Sequence, residues 1–206
     1  MNKAAQTQLI PVAELAPGEV ARIRNEAIDR VLKMASTELN LPLNKLIVRD
    51  IRPYTDIKWC TDTSAVTSAL TEDEWIATSD DSNIYGSFTY GLVVSGSTTM
   101  ADERWVVIWG VKDMRMSLAT PVERAISLIK INVGGNDRVI WDLMNFQCYP
   151  NAMAGICPSP VVIPQNDDFQ IYVYGGVSND GGGADVIQYI VLDGAVIEPV
   201  GKVLSP

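Results

Sequence analysis

The hydrophobic pattern of this chain changes period once, at Leu46, and does not change back. Upstream, Val20, Ile23, Ala27, Val31 and Met34 recur at three- and four-residue intervals within Pro17 to Ala35, and Ile28, Leu32 and Ala35 widen the stripe. That spacing puts the apolar groups on one helical face. Pro17 suits the first turn and Glu19 its positive end, and the pairs Glu26 to Arg30 and Asp29 to Lys33 support the helix, which Asn40 and Pro42 end. From Leu46 the period becomes two, or collapses to short apolar runs rich in Val, Ile, Tyr and Trp, which is strand chemistry.

Eight segments carry that pattern: Leu46 to Arg52, Ile84 to Val94, Trp105 to Val111, Ala125 to Val133, Arg138 to Tyr149, Val161 to Ile163, Phe169 to Tyr174 and Val186 to Ile197. Turn chemistry separates them at Ser95 to Ser97, Gly134 to Asp137, Pro164 to Asp168 and Asn179 to Gly183, where positive φ or Asx hydrogen bonds are needed. The stretch Cys60 to Asp81 is less regular, and Leu70 to Ile76 is expected to form a short helix capped by Thr71. The pattern predicts an all-β fold, a sandwich of two sheets with about four strands each, preceded by one α-helix. With no internal repeat and no long linker, the chain divides into an N-terminal arm, residues 1–44, and one β-sandwich domain, residues 45–206.

Composition removes several functions. The chain has no histidine, which excludes a Ser-His-Asp triad, a Cys-His dyad, a histidine-ligated zinc or haem and a histidine pH switch. Its net charge of −9 opposes direct nucleic-acid binding by the body, since neutralising phosphates takes clustered Lys and Arg. The charge is polarised: residues 1 to 52 hold eight basic side chains against six acidic ones, so the remaining 154 carry −11. The longest apolar runs, Trp105 to Trp109 and Ile187 to Leu192, fall far short of the ~20 residues of a membrane helix, and no membrane span is expected. The polar start Asn2 to Gln8 lacks the features of a secretory signal, and there is no Asn-x-Ser/Thr sequon. Cys60, Cys148 and Cys157 are odd in number and lack the two-residue spacing of a redox or zinc motif, so all three are expected to be free thiols.

Residues able to carry chemistry each have a plainer reading beside the chemical one. Ser95, beside Gly96, does not sit in a Gly-x-Ser-x-Gly pattern and reads as a hairpin turn. Glu72, Asp73, Glu74, Asp102, Glu103 and Glu198 supply the carboxylates that a histidine-free glycosidase would need, but most lie in loop-like contexts. The loop Asn179 to Asp185 interleaves oxygen donors with glycines as calcium sites do, without the ligand spacing of an EF-hand. Trp105 and Trp109 share one strand face and read as core or interface before they read as a sugar-stacking surface. No cofactor and no metal site is expected.

The block Pro158 to Gly175, followed by a Gly-rich loop and Ile187 to Leu192, resembles the closing strands of viral single jelly-roll coat and capsid decoration proteins. Pairing it with Ile126 to Val133 and Val139 to Phe146 gives the rhythm of that fold over residues 84 to 197. The resemblance implies a jelly-roll sandwich and a non-enzymatic building block of a virion, made in host cytoplasm, whose partners are copies of itself or other capsid proteins. The absence of a long Arg-rich arm departs from many coat proteins and sets direct genome packaging aside. On this reading the stripe Val20, Ile23, Ala27, Val31 and Met34 is expected to contact a neighbouring subunit; the competing expectation is that it caps its own sandwich. A sugar-binding or adhesin-like sandwich is the alternative function. Cupins share the rhythm but need histidines that this chain lacks.

Overall fold

A computed structural model describes residues 9–51, 76–79, 90–92, 98–115, 126–143, 154–175 and 186–203. In chain order the elements are β1 (Ile10–Pro11), α1 (Glu19–Leu39), β2 (Leu46–Asp50), β3 (Ile76–Ser79), β4 (Tyr90–Leu92), β5 (Thr98–Thr99) and β6 (Trp105–Arg115). Then follow β7 (Ile126–Val133), β8 (Asn136–Asp142), β9 (Ala154–Ile163), β10 (Asp168–Gly175), β11 (Val186–Pro199) and the single turn α2 (Val200–Val203). Each of the eight strand segments read from the sequence overlaps an observed strand, but β1, β3 and β5 fall outside all eight, so the two sheets hold six and five strands instead of about four each. Ile76, the last residue of the expected short helix, instead opens β3, and the rest of that segment lies outside the described residues.

The strands form two antiparallel sheets. One runs β1-β9-β6-β11-β2, with β3 also on β11; the other runs β4-β10-β7-β8, with β5 also on β10. The pairings are nested: β7 with β8, outside them β6 with β9, then β4 and β5 with β10, and outermost β2 and β3 with β11. At the centre of the nest is a two-residue turn, Gly134 and Gly135, with φ of 59° and 74°. Positive φ at both central residues is the type I′ geometry whose twist matches paired strands, and glycine adopts it without steric cost.

The structure has three layers. Val106, Ile108, Val111, Val161, Ile163 and Val196 of the first sheet pack against Ile129, Ile131, Val139, Trp141, Phe169 and Ile171 of the second. The opposite face of the first sheet, with Trp105, Val107, Trp109, Ile156, Ala195 and Ile197, is covered by α1. Strand β6 is therefore buried on both faces, which is why its sequence is a continuous apolar run instead of an alternation. Its pairing skips Trp109 against both β9 and β11. This bulge sends Trp105, Val107 and Trp109 toward α1, yet turns Val111 to the other sheet, where simple alternation would have put it with the tryptophans.

Helix α1 starts two residues later than Pro17, after Gly18, and runs on to Leu39. Asn40 then takes a left-handed conformation (φ 52°), and its N–H and that of Leu41 bond to the carbonyls of Thr37 and Ser36. This is the Schellman closure, with asparagine in the place usually held by glycine. The i to i+4 support differs from expectation too: Glu26 pairs with Arg22, at 2.9 Å, and not with Arg30. Among the described residues no helix is long and apolar enough to cross a membrane.

Candidate functional site

The structure places most of the expected interface stripe against the chain's own sheet. Ile23, Ala27 and Val31 are buried in the cluster formed with Trp105, Val107 and Trp109, Val20 packs half-buried at its margin, and Ala35 extends the same line. In the single chain this face is thus already covered, and Ile23, Ala27 and Val31 present almost no surface to a neighbour. Met34 alone turns elsewhere, into a groove. Arg24 pins the helix at its first turns: its guanidinium lies 5.7 Å from the Trp109 ring centre and 2.5 Å from Asp193, which also pairs with Lys112 at 3.2 Å.

The one buried charge among the described residues is Glu198, 1% exposed. Arg49 Nε donates to its Oε1 at 2.6 Å and Arg104 Nε to its Oε2 at 2.8 Å, so both oxygens are occupied. Burial pushes this carboxyl upward, but the hydrogen bond from Arg49 and the charge of Arg104 outweigh it and hold Glu198 below the usual carboxylate range. A carboxylate so held stays ionised and is unsuited to donate a proton as a general acid; it ties β2, the residue leading into β6, and β11 together at one end of the first sheet. Of the other carboxylates singled out from sequence, Asp102 is exposed and accepts from Asn166, and Glu103 pairs with Lys202 at 3.4 Å. Glu72, Asp73 and Glu74 lie outside the described residues, as do Ser95, the loop Asn179 to Asp185, Cys60 and Cys148. Cys157 is a free, buried thiol.

What remains open is the corner where both sheets end. Among the described residues, strand β8 is the last of its sheet, and β9 is covered at its outer edge only by β1, opposite Gly155 and Ile156. Between the pairs Gly110 to Ile156 and Ile108 to Val161, β9 makes an excursion through Cys157, Pro158, Ser159 and Pro160. Beside that excursion lies a groove of about 410 Å³ walled by Arg30 and Met34 from α1, Arg138 and Val139 from β8, and Pro160 and Val162 from β9. Arg30 and Met34 reach it together because they are one helical turn apart. Sequence reasoning missed this site. Its walls come from three elements distant in the chain, and the one local signal was the Pro-Ser-Pro interruption at Pro158 to Pro160.

Arginine pairing sets the groove apart. Arg22, Arg24, Arg49 and Arg104 all make ion pairs with carboxylates. Arg30 and Arg138 are exposed and have no partner among the described residues. The groove is cationic in a protein of net charge −9. By contrast Trp105 and Trp109, weighed from sequence as a sugar-stacking surface, are buried under α1, and Trp141 is buried between the two sheets. No protein-family model, curated protein or solved structure matches the chain.

Proposed function

We propose that this protein is a structural component of a virion, a capsid subunit or a capsid-associated minor or decoration protein, built on a jelly-roll sandwich and assembling with copies of itself or with other capsid proteins. The observation that carries the reading is the nested pairing. With β3 and β5 as short additions, the strands order as β2-β11-β6-β9 and β4-β10-β7-β8, the outcome of folding one long antiparallel hairpin over itself. That order supports the double Greek key of a jelly roll, an architecture shared by viral capsid and lectin domains. Fold alone does not decide between those two uses. The burial of every tryptophan among the described residues, Trp105, Trp109 and Trp141, favours the first, because a glycan platform needs aromatic faces in solvent.

Light scattering and negative-stain microscopy of the purified chain, with a glycan array in parallel, test the reading. Discrete multi-copy assemblies and a blank array support it. A chain that stays monomeric and binds a glycan family overturns it in favour of a carbohydrate-binding or adhesin-like sandwich.

A further inference from the structure

We propose that the groove between α1, β8 and β9 is the seat of a second copy of this chain, whose acidic body is held by salt bridges to Arg30 and Arg138. The inference rests on the assembling role proposed above and names the surface that performs it.

Both guanidiniums are left free by the arrangement of their neighbours. Glu26, one turn before Arg30 on the helix, gives both carboxylate oxygens to Arg22, at 2.9 and 3.1 Å. Asp137, adjacent to Arg138, accepts from Asn132 at 3.0 Å and pairs with Lys130 at 3.7 Å. The groove therefore holds two positive charges that nothing described in its own chain neutralises. A second copy offers the complement: residues 53 to 206 carry a net −11.

The walls favour ion pairing over strand addition. Met34, Val139, Pro160 and Val162 surround the arginines with apolar surface, so an entering carboxylate loses competing water and the pairs strengthen. Pro158 and Pro160 remove two N–H donors from β9, which blunts this edge as a template for a foreign strand. Recognition here runs through side chains. Because the groove is cationic and the complementary surface acidic, the two halves of the contact are different patches. Where both fall within one interface the contact closes as a two-fold dimer, and where they lie apart it builds rings or extended arrays.

The test compares the full-length wild-type chain with Arg30→Glu/Arg138→Glu by sedimentation velocity, at about 50 mM and about 500 mM NaCl. Wild type is expected to associate at low salt and shift toward monomer at high salt, and the variant to associate about tenfold more weakly, with its melting transition preserved because both residues are exposed. Arg30→Gln/Arg138→Gln serves as the milder variant should the reversal perturb folding, and is expected to weaken association in the same direction. If wild type assembles and neither variant weakens it, the groove assignment fails while the assembling role stands. If wild type is monomeric at both salts, the assignment and self-assembly fail together. If wild type remains monomeric but binds heparin fragments in an Arg30- and Arg138-dependent way, the groove serves an anionic glycan and the second-copy occupant is overturned.

Discussion

Arg49 on β2 donates its Nε proton to Glu198 on β11 at 2.6 Å, across the outermost strand pair of the nest, with the acceptor carboxylate almost completely removed from water. Removing one partner of a buried pair leaves a desolvated charge, at a cost of about 3 to 5 kcal/mol. Glu198→Ala takes the buried carboxylate away from both Arg49 and Arg104, so a loss approaching that size in chemical denaturation is expected. The native carboxyl titrates below its ordinary value of about 4.3, so its contribution is full above that pH and is lost as the pH falls through the depressed native value. Wild type should therefore lose stability on acidification below about pH 4, and Glu198→Gln should show a smaller loss over the same range. Parallel pH profiles for the two proteins would contradict the assignment.

The apolar stripe of α1 belongs to the core of its own chain, and this changes what its mutation does. Val31 is 0% and Ile23 5% exposed. Each buried side chain is worth roughly 1.5 to 3 kcal/mol, and a charge placed there adds its own desolvation cost. Against a total stability of about 5 to 15 kcal/mol, Ile23→Asp/Val31→Asp should abolish the folded state and not merely assembly. Val31→Ala should cost about 2 kcal/mol in denaturant titrations. A double aspartate variant with an intact melting transition would show that α1 is detachable.

Cys157 sits in the inter-sheet core with its thiol donating to the Ser159 carbonyl at 3.1 Å, and burial pushes its titration upward. Because the thiolate is the reactive form, Cys60→Ser/Cys148→Ser, which leaves this single thiol, should resist a disulfide reagent at about pH 8 until denaturant is added. Labelling of the folded variant within seconds would place the thiol at the surface.

How much of this was legible in the sequence depends on the distance over which each feature is decided. The helix was readable because Ile23, Ala27 and Val31 repeat locally, and Asn40 marked its end. Where that stripe goes was not, since an apolar face fits a neighbour or its own sheet equally well until Trp105 and Trp109 are known to face it. Strand β9 was read only from Val161 because Pro158 and Pro160 interrupt the pattern, although the strand begins at Ala154. Val111 escaped the alternation rule because a bulge at Trp109 is a property of the pairing with β9 and β11. Glu198 was visible as a carboxylate, but Arg49 and Arg104, which determine its chemistry, reach it only through the fold. The same holds for Arg30 and Arg138.

The Gly134-Gly135 turn closes the innermost pair of the nest, and every other pairing among the described residues encloses it. A side chain at left-handed φ costs roughly 1 to 2 kcal/mol, so Gly134→Ala and Gly135→Ala should each destabilise the protein by about that amount. Gly134→Asn should be nearly neutral, because Asn-Gly suits a type I′ turn. Neither glycine's added Cβ would meet backbone within 4 Å, so the effect isolates conformation from packing. The β7 and β8 hairpin has the shortest loop to close, whereas β2 and β11 must meet across most of the chain. Loop-closure entropy therefore favours the hairpin as an early event, with the outer pairs added around it. If so, the alanine variants fold more slowly with little change in unfolding rate, as expected for residues structured in the transition state. Stopped-flow refolding and unfolding across denaturant gives both limbs, and a loss confined to the unfolding limb would show that the fold nucleates elsewhere.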